Sequence, residues 1–396
     1  MSEENLREAI REKILSGVDL SRDIDDEEIR VIIKNEIIHA ARDRPLSINE
    51  RINLEREIFN SLRKLDALQD LLDMDGVTEI MINGPDRIFV EEAGRLKRSP
   101  IKFSSEEKLY DVIQQIVAEN NRVVNESSPI VDTKLMDGSR VNVILPPVSV
   151  DGATVTIRRF PKERINMEKL MAYGSVDEEI VSFLKSIVVS GYNIFVCGGT
   201  GSGKTTFLNA LTDFIPGDER VITIEDSAEL QVRKVENLVR LETRNATLEG
   251  KLEIRMRDLV KSALRMRPDR IIVGECRGAE ALEMLTAANT GHDGTLSTGH
   301  ANSCRDMVSR LETMALMAGD VDLPIAAIKK QIASGIDIFI HLGRMKNKQR
   351  KLLEIAEVMG IEDNEVALST LYAYEESKGT WIKRNELSHR EKLERS

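Results

Sequence analysis

The spacing of apolar residues divides the chain into three stretches with different periods. Over residues 1–72 the period is helical. Ile29, Ile32, Ile33 and Ile37 recur one turn apart behind the acidic start Asp25-Asp26-Glu27-Glu28. Ser47-Ile48-Asn49-Glu50 has the form of a capping box and opens a further helix through Leu62 and Leu65. This stretch reads as a small helical bundle for docking or packing, and its one histidine, His39, reads as a surface or packing residue.

Residues 73–160 mix the two periods. Met74 to Pro85 reads as turn, strand, turn, and Arg87-Ile88-Phe89-Val90-Glu91 as a second strand. Ser104-Ser105-Glu106-Glu107 caps a helix whose apolar face is Leu109, Val112, Ile113, Ile116 and Val117. Ile130 to Leu145 predicts a hairpin turning at Asp137-Gly138, and a strand follows over Thr154 to Phe160. The expected result is an α+β (PAS-like) domain with its helices on one side of the sheet.

The third region, 161–396, alternates apolar runs with helical patterns from about 165 to 343. That order predicts an α/β domain with a parallel sheet covered on both faces. Its expected strands include Asn193–Cys197, Arg220–Asp226, Leu238–Thr243 and Arg270–Glu275. A helix is expected over Ile254–Arg267, with Met256, Leu259, Val260, Ala263 and Leu264 inward and Arg255, Arg257, Lys261 and Arg265 outward. Strands over Leu352–Met359, Glu365–Tyr374 and Thr380–Ile382 close the domain as a meander. The basic run Arg344 to Lys351 reads as a solvated loop, His341 and His389 as surface residues, and Arg384 to Ser396 as a frayed charged tail.

Composition narrows the class. The chain has 396 residues, 41% hydrophobic and 31% charged, with a formal net charge of −11. The acidic balance argues against a broad nucleic-acid surface, so direct nucleic-acid binding is not expected. No apolar run approaches the roughly 18 residues of a membrane span. The start Met1-Ser2-Glu3-Glu4 is wrong for a secretory signal. Three widely separated cysteines, Cys197, Cys276 and Cys304, give no zinc spacing and fit a reducing cytoplasm as small buried fillers; Cys276 and Cys304 do lie beside the motifs below.

Candidate chemistry centres on Gly198-Gly199-Thr200-Gly201-Ser202-Gly203-Lys204-Thr205, which fits G-x-x-x-x-G-K-[ST]. An apolar strand precedes it, and a helix-compatible run from Thr205 and Thr206 to Leu211 follows. That is the order in which backbone N–H groups and a helix N-terminus cradle phosphates. Lys204 is placed to reach β/γ-phosphates, and the Thr205 hydroxyl to ligate Mg²⁺, so the chain is expected to bind a nucleoside triphosphate. The strand ending in Glu225-Asp226 brings carboxylates to the sheet edge where such folds bind ligands. Ile271-Ile272-Val273-Gly274-Glu275 has the shape of a Walker B strand with a glutamate long enough to act on the lytic water, and Arg277 follows it. His300 lies just past its strand and is a candidate for the γ-phosphate, with His292 the weaker one. Arg158 and Arg159 cannot share a face of one strand: one can meet a neighbour while the other faces the nucleotide, or both are solvated.

These motifs in this order resemble the secretion ATPase superfamily, the motors of type II secretion, type IV pili and type IV secretion. The residues are the phosphate loop, Ile222 to Leu230, Ile271 to Gly278 and Ser297 to Asn302. Arg240 to Arg244, Ala263 to Arg270, Asn289 to Gly294, Asp137 to Asn142 and Thr156 to Phe160 look like the CpaF-type branch, which drives tight-adherence (Tad, Flp) pilus assembly. Resemblance covers roughly residues 70–360. Cys276 and Cys304 depart from the branch's usual valine and proline, and no cysteine quartet for a zinc subdomain is present. The resemblance implies a RecA-like ATPase domain, ATP with Mg²⁺ and a homohexamer. It implies a cytoplasmic place at the inner face of the membrane, with inner-membrane platform proteins as partners. It implies that Gly198 to Thr206 hold the phosphates, and that Thr205 and, through water, Glu225 serve Mg²⁺. Glu225 and Glu275 act on the metal and water, His300 senses the γ-phosphate, and Arg158, Arg159 and Arg277 are candidates for stabilising transition-state charge. A conjugation-type secretion ATPase, a retraction motor and a non-hydrolysing scaffold are the other readings.

Overall fold

The computed structural model describes residues 3–17, 24–92, 94–160, 164–244, 253–319 and 323–394. Met1-Ser2, Arg395-Ser396 and the start of the third expected region at 161–163 lie outside them. The described chain forms two units, Met1–Lys162 and Glu163–Ser396.

In the first unit, α1 (Glu3–Gly17), α2 (Asp26–Asp43) and α3 (Ile48–Arg63) pack through Ile10, Ile14, Ile33, Ile37, Leu54 and Ile58. The capping box forms in both directions: Ser47 Oγ accepts from the Glu50 N–H at 3.2 Å, and Glu50 Oε2 accepts from the Ser47 N–H at 2.7 Å. A short helix, α4 (Ala67–Asp73), leaves this bundle and packs Leu68 and Leu71 into a second core. That core lies beneath an antiparallel sheet of β1 (Val77–Asn83), β2 (Ile88–Glu92), β3 (Arg95–Arg98), β4 (Ile130–Lys134), β5 (Arg140–Ile144) and β6 (Thr154–Arg158), ordered β3-β2-β1-β6-β5-β4. Helix α5 (Glu106–Glu119) buries Leu109, Val112, Ile113, Ile116 and Val117, the face that the sequence spacing predicts.

The second unit carries α6 (Met167–Ala172), α7 (Glu178–Val189), β7 (Ile194–Gly198), α8 (Lys204–Thr212), β8 (Arg220–Glu225) and β9 (Asn237–Glu242). Then come α9 (Met256–Ala263), β10 (Arg270–Val273), α10 (Glu280–Ala288), β11 (Leu296–Gly299), α11 (Cys304–Leu316) and α12 (Ile325–Gly335). Last are β12 (Ile338–Arg344), β13 (Arg350–Glu362), β14 (Glu365–Glu375), β15 (Thr380–Lys383) and α13 (Glu391–Glu394). The sheet order is β15-β14-β13-β12-β7-β11-β10-β8-β9. It is parallel from β12 through β9 and antiparallel beyond β12. Successive residues of β7 enter opposite cores: Phe195 and Cys197 face one, Ile194 and Val196 the other. Burial on both faces explains why these strands read as unbroken apolar runs.

Four expectations change. Helix α9 is shorter than Ile254–Arg267, because Ile254 instead exchanges backbone hydrogen bonds with Arg244 at 2.8 and 2.9 Å. Arg257 does not face outward: its Nε donates to the buried Glu283 at 2.6 Å, tying α9 to α10. The tail from Arg384 to residue 394 is docked. Glu357, a buried carboxylate on β13, accepts from the N–H groups of Ser388 and His389 at 2.8 and 2.7 Å, and His389 Nδ1 lies 2.9 Å away. Tyr192 Oη donates to the His389 carbonyl at 2.6 Å, and Lys392 reaches Asp337 at 2.8 Å. His341 is half-buried on β12, opposite Glu354 in register.

Glu357→Ala strips the acceptor from two backbone N–H groups, which costs about 2–3 kcal/mol. Urea unfolding should show that loss and limited proteolysis should release the tail; a variant within about 0.5 kcal/mol of wild type would contradict the docking role.

Candidate active site

Parallel strands present their C-terminal ends to one edge of the sheet, and the polar residues that end β7, β8, β10 and β11 meet there. The phosphate loop leaves β7 and enters α8 through Gly203, whose φ of +95° is left-handed. A residue with a side-chain cap is the usual choice at this N-cap position. Glycine supplies none, so the first N–H groups of α8 are left for an anion together with the helix's positive end. Thr205 and Thr206 stand in that first turn, half-exposed, while Gly199, Thr200 and Gly201 are exposed and Ser202 is buried.

Lys204 is buried, with its ammonium 3.1 Å from the carbonyls of Gly198 and Gly199 and 3.3 Å from His300 Nδ1. An ammonium only donates, so Nδ1 accepts and the imidazole proton sits on Nε2. That nitrogen lies 2.7 Å from Glu275 Oε1. Burial, and then the Lys204 charge, push the His300 pKa below its ordinary value against the opposing pull of Glu275. A neutral imidazole therefore stands between the lysine and the carboxylate. On the far side of Glu275, Arg277 Nη2 donates to Oε2 at 2.7 Å, and Nη1 lies 3.7 Å from Asp226.

Glu225 sits behind this line. Its Oε1 accepts from the Glu229 and Leu230 N–H groups, both at 2.9 Å, and its Oε2 is buried with no protein partner. Desolvation raises its pKa to about 7, and the two backbone hydrogen bonds only partly offset that. A Cβ at residue 274 would come within 2.8 Å of Glu225 Cγ, so the glycine before Glu275 is the space that lets Glu225 pass beneath it.

The structure thus brings Lys204, Glu225, Glu275, Arg277 and His300 together. His292 is placed at the other end of β11, with Nδ1 3.3 Å from the Ala287 carbonyl. Arg158 and Arg159 belong to the first unit. Arg159 is engaged by backbone: its guanidinium donates to the carbonyls of Met74 at 2.5 Å, Leu72 at 2.7 Å and Val77 at 3.2 Å. Arg158 is mostly exposed, with Nε 3.8 Å from Glu79. The three cysteines are buried; burial pushes the Cys276 thiol up, and a hydrogen bond with Cys197 together with burial pushes the Cys304 thiol up, which leaves both as inert fillers.

Some participants carried little sequence signal. The basic run Arg344 to Lys351 is not simply a solvated loop, because Arg350 Nε donates to the Gly201 carbonyl at 2.8 Å. Lys351 donates to the Gly174 carbonyl at 2.6 Å and lies over the rings of Tyr374 and Trp381. Beside the phosphate loop, a cavity of about 230 Å³ is lined by Ile165, Leu170, Tyr173, Thr206, Phe207 and Leu352 among others. Its apolar walls and its place next to Thr206 suit a nucleobase. A shallower groove of about 700 Å³ around His341 and Glu354 holds none of the site residues.

Residues 62–372 match the family model described as type II/IV secretion system protein. A putative conjugal transfer protein of Mycobacterium tuberculosis (strain ATCC 25618 / H37Rv) is 35% identical over 81% of this chain and 93% of its own length. Conjugal transfer protein TrbB of Rhizobium radiobacter is 33% identical over 78% of this chain and 92% of its own. The crystal structure of the pilus retraction motor PilT with bound ADP is 20% identical, with a TM-score of 0.54 over 84% of this chain and 86% of that one, a likeness of fold. With the family model matching most of its length, the chain belongs to the type II/IV secretion system protein family.

Proposed function

We propose that the chain is a P-loop ATPase that works as a homohexameric motor at the inner face of the membrane and powers assembly of Tad/Flp-type pili. The observation that carries the ATPase reading is the line Lys204, His300, Glu275 and Arg277 beside an uncapped helix N-terminus. The phosphate loop binds ATP through its N–H groups and Lys204, and the cavity beside Thr206 takes the base. Glu275 orients or deprotonates the lytic water. His300 fixes where the Glu275 carboxylate points and registers whether Lys204 has moved to a phosphate. Arg277 and Arg158 are the arginines offered to developing charge, while Arg159 is held by the carbonyls of Leu72, Met74 and Val77.

The donor set also fits Mg²⁺. Thr205 offers a hydroxyl in the first turn of α8, and Glu225 keeps a buried Oε2 without a protein partner, which suits a water-mediated contact. When bound, the ion neutralises charge on the phosphate oxygens.

The pilus assignment is supported by Asp137 to Asn142 and Thr156 to Phe160, which resemble the CpaF-type branch, and by the absence of a cysteine quartet. A conjugation-type motor is the second reading, favoured by the names of the relatives matched over most of the chain. Deleting the gene separates the two. Loss of surface pili and adhesion with intact conjugation supports the first, and the reverse supports the second.

Lys204→Ala should lower ATP turnover by about 10²-fold or more, and Glu275→Gln should keep nucleotide binding while losing at least about 10²-fold in kcat. Normal steady-state turnover in either variant removes that residue from the chemistry. Glu225 adds a pH signature. Its folded pKa of about 7 lies above the unfolded value near 4.5, so the folded state holds the proton longer. Its contribution to stability therefore falls as pH rises from about 4.5 to 7. Thermal melts without nucleotide should show Glu225→Gln gaining on wild type across that window, and a constant difference in Tm would refute it.

A further inference from the structure

The segment from Gly274 to Ala279 carries both Glu275 and Arg277, and its backbone partners can be traced one by one. Gly274 N–H donates to the Ile224 carbonyl at 2.8 Å, and the Gly274 carbonyl accepts from Thr298 Oγ1 at 2.8 Å. Cys276 N–H donates to the Thr298 carbonyl at 2.8 Å. The flanking strands β8 and β11 therefore fix the first half of the segment. The second half is held differently. The N–H groups of Arg277 and Gly278 both donate to Glu280 Oε1, at 2.6 and 2.9 Å. Glu280 is the first residue of α10, and its carboxylate reaches back over the turn that precedes it.

We infer that Glu280 is a positioning residue for the hydrolytic step: it fixes the turn that holds the Arg277 guanidinium between Glu275 and Asp226. Arg277 is more than half exposed, so packing alone does not set its place. Its direction is decided by the backbone from which it springs and by two carboxylates on separate strand ends. A carboxylate accepting two N–H groups is a stiff anchor for such a turn. Glu280 thus acts through Arg277 on the direction of the Glu275 carboxylate, and it touches neither nucleotide nor water.

The groups facing Glu275 are His300 at the end of β11, with Lys204 of α8 behind it, and Arg277, with Asp226 of β8 beyond it. Glu225 lies against Gly274. Arg277 donates directly to Glu275 Oε2 and so fixes which way that carboxylate faces. Loosening Arg277 removes that constraint from the group that acts on the lytic water. A residue that merely stabilised α10 would lose activity independently of Arg277.

The inference rests on Glu275 acting on the lytic water, and the experiment keeps the two apart. Full-length Glu280→Ala, Arg277→Ala, the double variant and Glu275→Gln are compared for kcat and KM of MgATP turnover, with ADP affinity measured separately. Glu280→Ala should lose about 10-fold or more in kcat with KM and ADP affinity unchanged. Arg277→Ala should lose at least as much, and the double variant no more than Arg277→Ala alone. Glu280→Gln, which keeps an acceptor oxygen, should recover most of the loss. Amide exchange at Arg277 and Gly278 should quicken in Glu280→Ala, a readout independent of turnover. A rise in KM in place of the kcat loss, additive losses in the double variant or unchanged amide exchange would overturn the positioning role while leaving Glu275 in place. Normal turnover in Glu275→Gln would overturn both.

Discussion

A parallel sheet buried on both faces has no room for charge along its strands, so charge collects where the strands stop. Here β7, β8, β10 and β11 run side by side and end in Gly198, Glu225, the Gly274-Glu275 pair and the Gly299-His300 pair. Each of these residues follows a fully covered strand, apolar in β7 and over Ile271 to Val273, and interrupted by the buried hydroxyls of Thr223 in β8 and of Ser297 and Thr298 in β11. The sheet order also puts the strand before the phosphate loop next to the strand before His300, so that Lys204 and His300 meet although 96 residues separate them in the chain.

Within that edge the residues depend on one another. A lysine that donates to Nδ1 dictates the tautomer of His300, and that tautomer decides what faces Glu275. Arg277 meets the opposite oxygen of the same carboxylate. The Glu275 carboxylate is therefore approached from two strand ends, by Arg277 through a hydrogen bond to Oε2 and by His300, whose Nε2 lies 2.7 Å from Oε1. Glu225 is buried, with Oε1 bonded to two backbone N–H groups and Oε2 without a partner, and desolvation weakens its acidity. Burial, and not the carboxyl group's own chemistry, thus sets where Glu225 titrates.

Much of this was legible in the sequence because it is local or periodic. The face of α5, the capping box at Ser47 and the phosphate loop between strand and helix each follow from spacings of a few residues. The placement of Glu225 and Glu275 follows in the same way, since the end of an apolar run marks the sheet edge, whereas His300 follows a strand that carries Ser297 and Thr298. What was hidden depends on contacts between distant residues. Arg257 looks like a solvated charge on an amphipathic helix until Glu283 is brought beside it. The run from Arg344 to Lys351 has the composition of an exposed loop, yet a hairpin folds it onto Gly201. The tail after Arg384 carries no apolar pattern strong enough to announce docking, and its anchor is the single buried acceptor Glu357. Glu280 reads as an ordinary first-turn acid, because nothing in the sequence indicates which way the preceding turn will face.

The contact between Arg350 and Gly201 spans 149 residues of chain. The phosphate loop is among the most local motifs in the protein, but part of its support is among the most distant. As the chain leaves the ribosome, the strand, loop and helix of the nucleotide cradle appear long before β12 and β13 exist to flank them. During that interval the loop lacks a neighbouring strand on one side and the guanidinium that holds its carbonyl. The cradle thus gains this support late in synthesis, when the antiparallel strands add to the edge of the sheet, and a chain cut short before residue 350 would carry the whole motif without the hairpin that braces it.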